Sequence, residues 1–82
     1  MVIHQLRYFV ALAEEKSYSN AAKRLFVSQP SISKGVKWLE NEMELELVSR
    51  GGAQFQLTPA GECLYRRAKT TVAQVDGLKD EI

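Results

Sequence analysis

The stretch Ser17-Tyr18-Ser19-Asn20-Ala21-Ala22-Lys23-Arg24-Leu25-Phe26-Val27-Ser28-Gln29-Pro30-Ser31-Ile32-Ser33-Lys34-Gly35-Val36-Lys37-Trp38-Leu39-Glu40 decides the fold. Ser19 is suited to cap a short helix, because its hydroxyl can accept a backbone N–H of the first turn. In that helix Ala21, Ala22 and Leu25 form a small-residue face that another helix can approach closely, and Phe26-Val27 closes it. Ser28 is the next N-cap, with Gln29 and Pro30 in the first turn, where proline is tolerated because its missing N–H would have no intrahelical partner. A helix of about residues 29–43 is therefore expected. Its apolar residues Ile32, Val36, Leu39 and Met43 recur in steps of four, three and four, a stripe that faces a core. At ~100° per residue, Pro30, Ser33, Lys34, Lys37 and Asn41 share an adjacent arc with no acid and no large apolar group. A helix–turn–helix of this kind can lay its second helix in a DNA major groove and read bases from its N-terminal residues.

Outward from this pair, Leu6, Phe9, Val10 and Ala13 place a first helix at about Ile3 to Glu15. Downstream the period changes. Leu45 and Leu47, then Gln54-Phe55-Gln56-Leu57, are short alternating runs around Ser49-Arg50-Gly51-Gly52-Ala53, a hairpin signal. Two strands there make a wing with Arg50 at its tip, near a phosphate; the alternative is an ordinary surface hairpin with one exposed arginine. Thr58-Pro59 restarts a helix by the cap-then-proline rule. From there Gly61, Leu64, Ala68, Thr71, Val75, Leu78 and Ile82 alternate steps of three and four through the end of the chain, an imperfect coiled-coil seam. Self-pairing through 59–82 is expected from this seam. The alternative is that the first two turns dock on the domain and the rest is solvated.

These elements predict a mainly α fold: a winged helix-turn-helix of three helices plus a two-stranded wing over 1–58, followed by a long linker and dimerisation helix over 59–82. Eighty-two residues leave room for one small domain. Net charge is +1, yet no Asp or Glu interrupts the chain from Lys16 to Leu39, and Glu40, Glu42, Glu44 and Glu46 follow as an acidic run. The total averages unlike faces, and the basic block coincides with the helix–turn–helix. The apolar runs are too short to cross a bilayer and the N-terminus has no signal-peptide pattern, so no membrane role and a cytoplasmic location are expected. His4 and Cys63 are single and lack a second ligand at useful spacing, so neither a metal nor a cofactor is expected. No catalytic constellation can be assembled, so the chain does not read as an enzyme.

The ordered set Gln5-Leu6-Arg7-Tyr8-Phe9, Ser17 to Leu25, Val27-Ser28-Gln29-Pro30-Ser31-Ile32-Ser33-Lys34, Leu39-Glu40, Arg50 and Leu57-Thr58-Pro59-Ala60-Gly61 resembles the N-terminal DNA-binding module of LysR-type transcriptional regulators across essentially the whole chain. The resemblance implies sequence-specific binding of double-stranded DNA at a pseudo-palindromic site by a homodimer, with a tetramer possible in a full-length protein. It also implies a small-molecule inducer that acts only through a further domain absent from this sequence. Three positions depart from the family pattern. Glu44 stands where a glycine usually ends the recognition helix, leaving open another exit or a longer helix, and Val48 stands where Phe is usual. Gly35 replaces a long polar side chain, for close backbone approach or merely by tolerance.

Carried over on matching positions, Gln29, Pro30, Ser31, Ser33 and Lys34 are the candidates to face bases. Gln can engage adenine, Lys can donate to guanine, Ser can pair with either, and Pro30 can touch a thymine methyl. Ser17, Ser28, Lys37 and Arg50 are candidate phosphate anchors, which set register without reading sequence. Ser17 has a competing role as a cap at the start of the second helix. Leu64, Ala68, Thr71, Val75, Leu78 and Ile82 are the candidate dimer seam. Trp38 reads as lying across side chains of its own domain, with a partner contact as the alternative. A winged-helix protein-interaction module that binds no DNA is the competing function.

Overall fold

The structure, a computed structural model, describes residues 2–82. Four helices form where the caps and periodicities place them: α1 Ile3–Glu15, α2 Tyr18–Leu25, α3 Gln29–Met43 and α4 Pro59–Gly77. Phe9, Leu12, Ile32, Leu39 and Leu47 are the largest fully buried side chains. They come from α1, α3 and the segment after α3, so one core joins all three. Ala21 and Ala22 bring α2 onto it, and Ala68 brings α4. Each residue of the α3 stripe from Ile32 to Leu39 is buried, while Met43 is half-buried at the helix end.

Three helix caps hold by side-chain hydrogen bonds, each worth about 1 kcal/mol. Ser28 accepts from the Ser31 N–H and Thr58 from the Gly61 N–H, as the sequence predicts. The cap of α2 is Ser17, which accepts from the Asn20 N–H at 3.1 Å, and not Ser19, which lies two residues further in, already within the helix, and is exposed. Both serines precede the Ala-Ala pair; Ser17 has the extended backbone that a cap needs.

Helices α1, α2 and α3 all end on a left-handed residue that is not glycine: Lys16 (φ 56°), Phe26 (φ 57°) and Glu44 (φ 56°). Each donates its N–H back to a carbonyl of its own helix, the usual way of satisfying the last turn. Glu44 thus resolves its departure from the family pattern by adopting the glycine-like conformation itself. Gly35 is explained by packing, because an added Cβ would lie 2.7 Å from the Tyr8 ring.

The expected two-stranded wing is reduced, among the described residues, to one antiparallel bridge between Val48 and Leu57. Ser49 N–H donates to the Gln56 carbonyl at 2.9 Å and Thr58 N–H to the Leu47 carbonyl at 3.0 Å. On the α3 side the ladder does not extend because the Leu47 N–H is turned to the Glu40 carboxylate, which also accepts the outward-facing Val48 N–H. Beyond the bridge, Gly51, Gly52 and Ala53 supply little side chain to pack. The last helix also differs from a single run over 59–82, since the α-helix ends at Gly77 and a 3-10 turn covers Leu78–Glu81.

Candidate nucleic-acid interface

The opening turns of α3 present Gln29, Pro30, Ser33 and Lys34 as exposed side chains, with Ile32 fully buried between them. Ser31 is half-buried, its hydroxyl 2.8 Å from that of Ser28. Four of the five base-facing candidates therefore share one open face, and Ser31 is partly occupied with the cap. Lys37 and Asn41 continue that face along the helix and are exposed. Trp38 keeps 42% of its surface exposed.

The four phosphate-anchor candidates fall around this face. Ser17 and Arg50 border one surface groove with Lys16 and Tyr18, between the start of α2 and the loop after α3. Lys37 and Arg50 border a second groove with Asn41, whose lining also includes Glu40, Glu44 and Glu46. Tyr18 holds the two parts in place by an edge-on ring contact to Phe55, with centroids 6.2 Å apart. Burial there pushes the Tyr18 phenol above its ordinary pKa. Ser17 spends its oxygen on the cap described above, and Ser28 does the same at the start of α3.

Arg50 does not project from a hairpin tip. Its guanidinium lies 2.6 Å from a Glu40 carboxylate oxygen, while the other oxygen of Glu40 accepts the N–H groups of Leu47 at 2.8 Å and Val48 at 3.3 Å. Glu40 is 7% exposed, although its place in an acidic run suggests a solvated face. The missed signal is geometric: Glu40 is four residues after Val36, which puts it beside the buried stripe. One carboxylate thus ties the recognition helix to the loop and sets where Arg50 can reach. Arg50 still keeps about half of its side chain in solvent.

A second charged cluster fixes α4. Arg24 bridges Glu14 at 2.8 Å and Glu15 at 3.2 Å, and the Tyr65 hydroxyl donates to Glu14 at 2.7 Å. The Tyr65 hydrogen bond and then the Arg24 contact hold the Glu14 carboxyl below the ordinary glutamate range. Arg7 forms a two-pronged pair with Asp76, at 2.6 and 3.1 Å. Leu64, Ala68 and Val72 of α4 pack on the chain's own core. Of the expected seam, Ala68 is 2% exposed and already covered within the chain, and Leu64 is half-buried. Thr71, Val75, Leu78 and Ile82 remain exposed.

Two helices joined by the turn 26–28, the second with an open basic face and a loop packed at its far end, define a helix-turn-helix module. Residues 3–62 match the family described as bacterial regulatory helix-turn-helix protein, lysR family. The chain is 43% identical over 77 residues to the HTH-type transcriptional regulator CysL of Bacillus subtilis, covering 94% of this chain and 26% of CysL. Its fold superposes on a BenM DNA-binding domain in complex with catB site 1 DNA with a TM-score of 0.92 at 36% identity, covering 99% of this chain and 90% of that one. A full-length OxyR from Pseudomonas aeruginosa gives a TM-score of 0.92 at 39% identity, covering 98% of this chain and 27% of that one. The chain belongs to the lysR family of bacterial regulatory helix-turn-helix proteins. It spans about a quarter of the length of the curated relatives that it matches.

Proposed function

We propose that the chain is a sequence-specific double-stranded DNA-binding module of a transcription regulator, acting in the cytoplasm as a homodimer on a pseudo-palindromic site. The observation that carries this reading is the N-terminal face of α3, where Gln29, Pro30, Ser33 and Lys34 are exposed together on a helix whose opposite face is buried. Those side chains offer donors, an acceptor and an apolar edge of the kinds that discriminate base pairs in the major groove. Ser17, Ser28, Lys37 and Arg50 lie around that face as phosphate anchors. The BenM relative, solved with DNA, supports the same use of the same fold.

Homodimerisation is assigned to the outer part of α4 and the turn after it. Thr71, Val75, Leu78 and Ile82 form an exposed stripe there, with Leu78 at 61% and Val75 at 38% exposure. Among the described residues no helix is long and apolar enough to cross a membrane. We propose that the chain has no catalytic role, a reading supported by relatives named as regulators, and that any inducer acts through another part of a longer protein, as the relatives are about four times as long.

The test selects bound duplexes from a random pool and titrates the best site by fluorescence anisotropy. A dimer neutralising about five phosphates per subunit should show a log–log salt slope of up to roughly −9. Gln29→Ala and Lys34→Ala relax base preference, while Arg50→Ala weakens all duplexes about equally. No enrichment, no two-fold symmetry and no salt dependence would instead favour a protein-interaction module.

A further inference from the structure

Phe26 departs from the economy of the rest of the chain in two independent ways. It is 95% exposed, with none of the packing that its ring could have. It also adopts left-handed backbone, φ 57° and ψ 43°, at the end of α2, where the missing Cβ of glycine or the short polar side chain of asparagine is ordinarily found. The ring is not held in place by the fold, and the backbone position does not call for it.

Its location suggests what does. Phe26 sits in the turn that feeds α3, three residues before Gln29 and two before Ser28. Lys23, one turn earlier on α2, is also exposed, and no acidic residue lies between Lys16 and Leu39. Arg24 is neutralised by Glu14 and Glu15, but Lys23, Ser28 and Gln29, the exposed residues that flank Phe26 in the chain, are basic or polar and lead into the start of α3, which suits a polyanion better than an apolar protein patch. The one apolar feature that the major groove offers is the thymine 5-methyl group, which a phenyl ring can contact.

We infer that Phe26 is a specificity-determining DNA contact, its ring covering a thymine methyl at the edge of the groove that α3 enters. The inference rests on the DNA-binding reading and adds to it a residue outside the recognition helix that selects thymine over cytosine at one step of each half-site. It also accounts for an aromatic ring at a position where the backbone would favour a different residue.

The experiment uses the 82-residue chain and its best selected duplex, with each thymine of one half-site replaced in turn by uracil, which removes only the methyl group. One replacement should weaken wild-type binding by about four-fold, the value of one buried methyl group. Phe26→Asn should weaken binding to the thymine duplex by about ten-fold and make that same replacement nearly neutral. Because asparagine suits left-handed backbone, the variant should melt at the same temperature as wild type or higher. If wild type selects no duplex, the DNA-binding reading itself fails. If wild type binds DNA and Phe26→Asn keeps its affinity and its uracil sensitivity, only the present inference falls. Loss of self-association in sedimentation with half-site contacts unchanged would assign the ring to a second copy and overturn it, as would a lower melting temperature, which would mean that the ring packs within the fold.

Discussion

Replacing Glu40 should unseat the loop that follows the recognition helix. In Glu40→Ala, the Leu47 and Val48 N–H groups lose their acceptor where Leu47 is fully buried and Val48 is 5% exposed, so water cannot easily replace it. Each unsatisfied buried N–H costs about 1–3 kcal/mol. The Arg50 pair adds less, about 1 kcal/mol or below, because the arginine is half in solvent. Together these give about 2–7 kcal/mol, a large fraction of the ~5–15 kcal/mol that holds a typical domain together. Glu40→Gln keeps the shape but turns one oxygen into a donor, which must then face either the two N–H groups or the guanidinium. It should cost about half as much, roughly 2 kcal/mol. Urea unfolding followed by circular dichroism measures both, and a cycle with Arg50→Ala isolates the pair: Arg50→Ala should cost about 1 kcal/mol beside Glu40 and almost nothing in the Glu40→Gln background. A Glu40→Gln loss below about 0.5 kcal/mol would refute the reasoning, since a buried triple acceptor cannot be exchanged that cheaply.

Glu44→Gly relieves left-handed backbone at an exposed helix end and should raise stability by about 1 kcal/mol, seen as a melting temperature higher by roughly 4–8 °C; a lower value would contradict the assigned conformation. Gly61→Ala drives a Cβ into the Leu47 carbonyl oxygen and against Leu57, so it should destabilise by about 2 kcal/mol in denaturant titration, and a neutral outcome would mean that α4 sits further from the loop. Glu14 has a folded pKa depressed by Tyr65 and Arg24, so its contribution is complete above the ordinary glutamate range, near ~4.3, and is lost as pH falls through the depressed folded value. The melting-temperature gap between wild type and Glu14→Gln should therefore close on acidification, and a gap unchanged from neutral pH to about pH 3 would sink the assignment.

Helix positions were legible where the signal is local. Ser28 with Pro30 and Thr58 with Pro59 each combine a side-chain acceptor with a residue that lacks an N–H, and both helices begin there. The stripe of α3 was legible because three- and four-residue steps admit only one face. The choice between Ser17 and Ser19 was not, since either serine can cap and only the chain's exit from α1 through left-handed Lys16 selects the first. Glu40 hid for a different reason: its partners lie seven to ten residues away, and a glutamate among glutamates reads as solvated. The wing was overread because Gly-Gly signals a reversal of the chain but says nothing of whether the N–H groups beside it find a strand or a carboxylate. On α4, period alone could not separate residues covered by the chain's own core, such as Ala68, from those left open, such as Leu78.

The attachment of α4 to α1 has a mechanical consequence. The Tyr65–Glu14 bond, the half-buried Leu64 and Val72, the buried Ala68 and the Arg7–Asp76 pair are spread along most of the helix up to Gly77, so there is no soft joint between reading head and handle along that length. Torque applied to the exposed end of α4 is therefore delivered to α1 and, through Arg24, to α2. Two such heads gripped at their handles would be phased like teeth on a gear. One base pair added between half-sites turns the second by about 34–36° around the duplex axis, a rotation that a jointless handle cannot absorb by bending.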